Sequence, residues 1–344
     1  MQDYRAPSWL PGGHLQTIWA ALAAQRVDGA APVYRRERWE TPDGDFIDLD
    51  FSQTVPPEVA AQNAGAGYPV SKAAPRTLLV LFHGLEGSSR SHYAETFHDC
   101  AGQSGMAFVL PHFRGCSGAI NRLPRAYHSG DYEEIDWILK RLRRHWQAQG
   151  GEFVLAVGIS LGGNALLRWA AEAGDGASAT ADAVAAVCSP LDLAAGGHAI
   201  GRGLNRLIYT PMFLRSMKPR ALAKLRQFPG LFNRDAMLAS RTLYEFDNVF
   251  TAPLHGFKDV EDYWSRASAK PHLRRVRIPA LALNALNDPF IPAWSLPDPS
   301  DAGAHVTLWQ PAQGGHVGFP AGAPPGHVRS MPQAVVQWLA SHAA

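Results

Sequence analysis

Short, unbroken apolar runs recur along the chain at 77–82, 107–111, 153–157, 183–188, 280–284 and 305–309. Runs of this length between turn residues predict strands buried on both faces, as in a parallel sheet. Helical periods lie between them: Ile135, Ile138, Leu139, Leu142 and Trp146 recur at three- and four-residue steps, and so do Leu161, Ala165, Leu166 and Trp169. The alternation predicts an α/β fold with a mostly parallel central sheet and helices on both faces. Upstream, 38–42 and 46–51 flank Asp43-Gly44-Asp45, which predicts an antiparallel hairpin. Positions 332–342 predict a closing helix.

Two stretches break the rhythm. From 52 to 75 the chain turns to Ala, Gly, Pro and Gln without periodicity, the mark of a surface insertion. Between Pro190 and Pro279, about 90 residues separate two predicted strands that a simple crossover would join with far fewer, which predicts an inserted helical cap. The expected division is a core of 1–189 and 280–344 and a cap of 190–279. From Gly196 to Arg241 the cap carries nine Lys or Arg against one acid, Asp235. A basic face of this kind is either solvated or suited to peripheral contact with an anionic lipid surface. The cap's apolar residues, among them Leu204, Leu207, Ile208, Met212, Phe213, Met217, Leu222, Leu225 and Phe228, are expected to line an acyl pocket or to dock the cap on the core.

Composition narrows the function classes. With 32 basic and 30 acidic side chains, a formal charge of +2 and no dense basic run, nothing draws the chain to nucleic acid. Its three cysteines, Cys100, Cys116 and Cys188, are odd in number and far apart, which argues against a disulfide framework and for a reducing compartment. No Cys pair has zinc spacing. No basic segment followed by an apolar core opens the chain and no apolar stretch could span a bilayer, so a cytoplasmic protein without a transmembrane segment is expected. Oligomeric state is left open.

Candidate chemistry centres on Gly158-Ile159-Ser160-Leu161-Gly162, a G-x-S-x-G pentapeptide between a strand-like run and a helical period. So sharp a strand-to-helix turn would expose Ser160 Oγ as a nucleophile and leave the next amide free to bind an oxyanion. A serine hydroxyl needs a base, and the base an orienting carboxylate. After the run 280–284, Asp288 stands where open α/β sheets build their sites, and after 305–309 comes His316 in a Gly-flanked loop. Asp192 competes for the acid role, whereas His305, His272 and His327 lack the loop position of His316. Backbone amides of Leu161 and of Leu85, in His83-Gly84-Leu85-Glu86-Gly87, are the expected oxyanion donors. His83 is expected to fix that loop and Glu86 to point outward or serve structure. The clusters 114–118 and 127–131 are expected to shape the rim, with Ser129 or Asp131 capping a helix; Cys116 has nothing beside it to activate a thiolate. The scheme calls for no metal and no organic cofactor.

These blocks, with His14-Leu15-Gln16-Thr17, Phe113-Arg114-Gly115-Cys116-Ser117-Gly118, Tyr127-His128-Ser129-Gly130, Gly163-Asn164, Phe246-Asp247, 251–257, Asn287-Asp288-Pro289-Phe290 and 314–319, resemble the YheT-like branch of the α/β-hydrolases, bacterial relatives of the ABHD hydrolases. The blocks run from residue 14 to 319. The resemblance implies an α/β-hydrolase fold and carboxylic ester hydrolysis of a small or lipid-like ester by a Ser-Asp-His triad that maps onto Ser160, Asp288 and His316. Some animal relatives act on phospholipid acyl chains and often carry an N-terminal anchor, which is not expected here. The alternatives are an acyltransferase or thioesterase on the same fold, or a binding protein that keeps the fold without turnover.

Overall fold

The computed structural model describes residues 1–53 and 74–343. Except at its ends, the expected insertion at 52–75 lies outside the described residues. An eight-stranded sheet organises the rest: β1 (Tyr34–Glu40), β2 (Phe46–Ser52), β3 (Thr77–Phe82), β4 (Ala107–Pro111), β5 (Phe153–Ile159), β6 (Ala183–Val187), β7 (Ala280–Leu283) and β8 (Val306–Trp309). Their order is β1-β2-β4-β3-β5-β6-β7-β8. β1 and β2 form the expected antiparallel hairpin and β2 meets β4 antiparallel, while β4-β3-β5-β6-β7-β8 run parallel.

Successive strand side chains face opposite ways, so each strand serves two cores. Leu78, Val80 and Phe82 of β3 pack with Ile135, Ile138, Leu142, Leu166 and Trp169, which belong to α3 (Tyr132–Ala148) and α4 (Leu161–Ala173). Leu79 and Leu81 pack with Phe97, Val335 and Leu339, from α2 (His92–Gln103) and α11 (Ser330–Ala340). Both faces are thereby covered. A first helix, α1 (Gly12–Leu22), precedes the hairpin.

Between β6 and β7 the chain is helical: α5 (Leu193–Ile200), α6 (Gly203–Gln227), α7 (Arg234–Ala239), α8 (Leu243–Val249), α9 (Thr251–Leu254) and α10 (Val260–Ala267). Four of these begin at a residue whose side chain accepts a hydrogen bond from the first turn: Asp192, Asn233, Thr242 and Asp259. Leu214, Ala221, Met237, Leu243, Phe246 and Phe250 form a small core of their own. The expectation for the apolar residues here holds only in part. Phe213 and Met217 face a cavity, whereas Leu204, Leu207, Ile208 and Met212 are exposed on the outer side of α6. Among the described residues no helix is long and apolar enough to cross a membrane.

Candidate active site

Ser160 follows β5 directly with φ 52° and ψ −118°, a positive-φ conformation that costs a non-glycine residue on the order of 1–3 kcal/mol. Bonds on both sides hold it: its amide donates to Val187 O (2.8 Å) and its carbonyl accepts from the amides of Gly163 (3.0 Å) and Asn164 (3.2 Å). The turn is tight because α4 starts directly against the sheet. A Cβ on Gly162 would lie 2.5 Å from His83 O and 2.6 Å from Phe82 O, both backbone atoms that cannot swing aside. Gly162→Ala is therefore expected to displace the start of α4, lowering stability by about 1–3 kcal/mol and ester turnover with it. Chemical unfolding and initial rates check both.

The two partners arrive from neighbouring strands, each at its carboxyl end. The Ser160 hydroxyl lies 3.0 Å from His316 Nε2, to which it can donate. On the other side of the ring, His316 Nδ1 donates to Asp288 Oδ2 at 2.8 Å. A carboxylate accepts only, so this contact places the ring proton on Nδ1 and leaves Nε2 free to receive one. The remaining oxygen, Asp288 Oδ1, accepts from the Phe290 amide at 2.8 Å, and the carboxylate is fully buried. Phe290 also packs on the imidazole, with ring centroids 4.3 Å apart.

Helix α1 fastens both loops, a role that no local pattern in the sequence reveals. Buried Gln16 accepts from the Gly314 amide (3.0 Å) and from Asn287 Nδ2 (2.9 Å), and donates to Leu10 O (2.9 Å). Asn287 Oδ1 in turn accepts from the Gly315 amide (3.0 Å). Thr17 Oγ1 accepts from the amide of His316 itself (2.8 Å) and donates to Gly13 O (2.7 Å). Gly315, at φ 64°, admits this approach, since a Cβ there would meet Gly13 O at 2.7 Å. Gln16 and Thr17 are legible only as part of the resemblance, since partners some 300 positions away give them no local signal.

The loop after β3 carries the other expected donor. Gly84 and Glu86 amides donate to the hydroxyls of Tyr93 and Tyr127, each at 3.0 Å, and the Gly87 amide to Gly84 O. Among the described residues the amides of Leu85 and Leu161 have no hydrogen-bond partner, and both residues border the cavity above Ser160. His83 fixes this loop as expected. Its Nδ1 donates to Gly84 O (2.7 Å), its Nε2 accepts from the Phe113 amide (3.1 Å), and burial drives its pKa down to about 3, so it stays neutral.

The cavity holds about 430 Å³. Ser160 and His316 lie on its floor, and Ile200, Phe213, Met217, Leu243, Phe246 and Phe250 from the helices make an apolar roof. Glu86 does not point outward: its carboxylate accepts from Tyr127 Oη (3.1 Å) and faces Arg220 Nε of α6 at 3.3 Å, on the cavity wall. The positive φ of Glu86, 59°, turns it inward. Asp247 also borders the cavity. Burial raises its pKa to about 6, against hydrogen bonds from Thr251 Oγ1 and Trp264 Nε1 that lower it.

The competing groups are occupied elsewhere. Asp192 caps α5 by accepting from the Ala195 amide at 3.0 Å, and so does not turn to His316. Neither residue expected to cap α3 does so. The Asp131 carboxylate pairs with Arg125 (2.5 Å) and Ser129 accepts from Asn164 Nδ2, because a cation and an amide reach them before the helix amides do. Arg114 is buried among Asp43, Asp45 and Glu134, bracing the rim. Cys116 is buried with its thiol pushed up to about 12 by desolvation. Among the described residues, donor atoms of Cys188, Asp288 and His316 lie within 4.8 Å of one another. Asp288 and His316 are bonded to each other, while Cys188 Sγ accepts from the Val317 amide (3.2 Å) and so steadies the loop that carries the imidazole.

A family model described as the alpha/beta hydrolase fold matches residues 77–323. The chain is 36% identical over 311 residues to the YheT protein of Escherichia coli (strain K12), covering 90% of this chain and 84% of that one. It is 28% identical over 331 residues to Phospholipase ABHD3 of Mus musculus, covering 94% and 77%. Among solved structures, the esterase Pf2001 of Pyrococcus furiosus superposes with a TM-score of 0.52 at 13% identity, covering 93% of this chain and 96% of that one, a likeness of fold.

Proposed function

Since the chain belongs to the α/β-hydrolase family, in its YheT-like branch, we propose that it is a serine hydrolase that cleaves carboxylic esters through an acyl-enzyme. The observation that carries this reading is the unbroken line of hydrogen bonds from Ser160 Oγ through the His316 ring to Asp288, on the floor of a cavity lined mainly by apolar side chains. Ser160 Oγ attacks the acyl carbonyl while His316 Nε2 takes its proton. The same imidazole then delivers that proton to the leaving alkoxide. Water attacks the acyl-enzyme in the second half, with His316 again as base, and the acid and free Ser160 result. Asp288 keeps the productive tautomer and stabilises the imidazolium.

The free amides of Leu85 and Leu161 would hold the oxyanion, each contributing about 3 kcal/mol to the transition state in comparable sites. Residues 190–279 act as a cap, with the core formed by 1–189 and 280–344. Phe213, Met217, Phe246 and Phe250 suit an acyl chain, and the phospholipase name of ABHD3 agrees with a lipid-like ester. Each methylene buried contributes about 0.8 kcal/mol. An octanoyl p-nitrophenyl ester is therefore expected to exceed the acetyl ester in kcat/KM by at least about tenfold. A fluorophosphonate is expected to add its phosphonyl group to the peptide that holds Ser160, read by mass spectrometry. Folded protein that takes up no probe would defeat the hydrolase reading, and an acetyl optimum would defeat the lipid-like substrate.

A further inference from the structure

We propose that the outward face of α6 docks on an anionic lipid bilayer. Leu204, Leu207, Ile208 and Met212 are all exposed, Leu207 by 74%. Their steps of three, one and four put them on one stripe of the helix, with exposed Pro211 between them. Four large apolar side chains on one helical stripe, facing water, make a contiguous patch of the kind that marks an interaction surface. The next elements extend it. Tyr209 of the same helix packs with Ile291 and Leu296, and between these two stands Trp294, 77% exposed.

Charge selects the occupant. The 25 residues of α6 include six Lys or Arg and no acid. Beside the apolar stripe lies a shallow groove of about 450 Å³ lined by Arg206, Leu207, Pro211, Arg215, Lys218 and Arg241, the size and sign for phosphate headgroups. Lys218 is anchored there by the carbonyls of Leu238 and Ser240, each at 2.7 Å. The nearby acids are engaged: Asp235 faces Arg234, and Glu245 accepts from the Arg241 amide. Since the whole chain carries only +2, this is a local concentration of charge.

An apolar stripe edged by cations matches a bilayer whose surface is anionic and whose interior is hydrocarbon. A second copy fits less well, because a two-fold contact would set the same cations against each other. Nucleic acid would meet mainly aliphatic side chains, with Trp294 as a lone ring where it needs a row of stacking rings. The inner side of the same helix gives the docking a purpose. Phe213 and Met217 line the cavity, so one helix separates the lipid-facing stripe from the cavity that holds Ser160. That purpose rests on the hydrolase reading, whereas the docking does not.

The test is cosedimentation of the full chain with phosphatidylcholine vesicles and with 3:1 phosphatidylcholine–phosphatidylglycerol vesicles, at low and high salt. Vesicles containing phosphatidylglycerol are expected to bind about tenfold or more tightly, with partial loss at high salt. Leu207→Glu with Met212→Glu, and separately Arg206→Gln with Arg215→Gln, are each expected to weaken that binding by about tenfold or more. Both pairs should keep fluorophosphonate labelling and hydrolysis of soluble p-nitrophenyl butyrate within about twofold of wild type, since none of the four borders the catalytic cavity. Failure of the wild type to bind anionic vesicles, or binding unaltered in both double variants, would overturn the proposal. So would a dimer in sedimentation velocity that Leu207→Glu with Met212→Glu dissociates while vesicles stay unbound. Vesicle binding by a chain that takes up no fluorophosphonate would leave the docking standing and the hydrolase reading lost.

Discussion

Ser160→Ala is expected to lower kcat on the best p-nitrophenyl ester by about 10⁶-fold and Asp288→Asn by about 10⁴-fold, while Asp192→Asn stays within about threefold of wild type. The first removes the nucleophile. The second keeps the shape of the site and inverts its proton logic: an Asn amide can donate to Nδ1, which moves the ring proton to Nε2, the atom that must receive the Ser160 proton. Asp192 is spent on the Ala195 amide, and an Asn there keeps an oxygen that accepts the same bond, so the change costs little stability and little catalysis. The three groups act as a unit, so Ser160→Ala with Asp288→Asn should be no slower than Ser160→Ala alone. Steady-state rates with each protein shown to be folded decide the matter. A sluggish Asp192→Asn beside a brisk Asp288→Asn would move the acid role to Asp192.

The strands and the elbow were legible because each is a local signal. A strand buried on both faces must be apolar at every position, as in Phe153 to Val157, and a sharp turn against a sheet needs glycine at positions such as Gly162, which the sequence displays directly. His316 could be found because it sits between glycines after a strand, and Asp288 because it follows another. The outer face of α6 misled for a physical reason. Helical spacing of Leu204, Leu207, Ile208 and Met212 says that they share a face and not what the face meets, and a face turned to water looks the same in sequence as one turned to a core. Of the two expectations for Glu86 the structural one holds, but its partner was not legible: Arg220 comes from a helix 134 positions away, and nothing beside Glu86 in the chain announces it. The support of the His316 loop by α1 was the least legible, for the same reason carried further.

That support is open to a direct test. Gln16→Leu keeps most of the side-chain volume and strands three groups: Leu10 O, the Gly314 amide and Asn287 Nδ2. At about 1–3 kcal/mol for each buried group left unpaired, a loss of about 3 kcal/mol or more in unfolding free energy is expected, large beside the total stability of an ordinary domain. A smaller change separates positioning from plain stability. Thr17→Val is nearly isosteric, yet it removes the acceptor of the His316 amide and the donor to Gly13 O. The His316 loop then loses the bond closest to its imidazole. A shift of even a fraction of an ångström at Nε2 weakens proton transfer in the transition state more than it weakens substrate binding. The expected result is a fall in kcat of about 10–100-fold with KM little changed, and recovery to near wild type in Thr17→Ser, which restores the hydroxyl. Equal losses in Thr17→Val and Thr17→Ser, or a rise in KM at constant kcat, would mean that α1 only packs against the site and does not position its base.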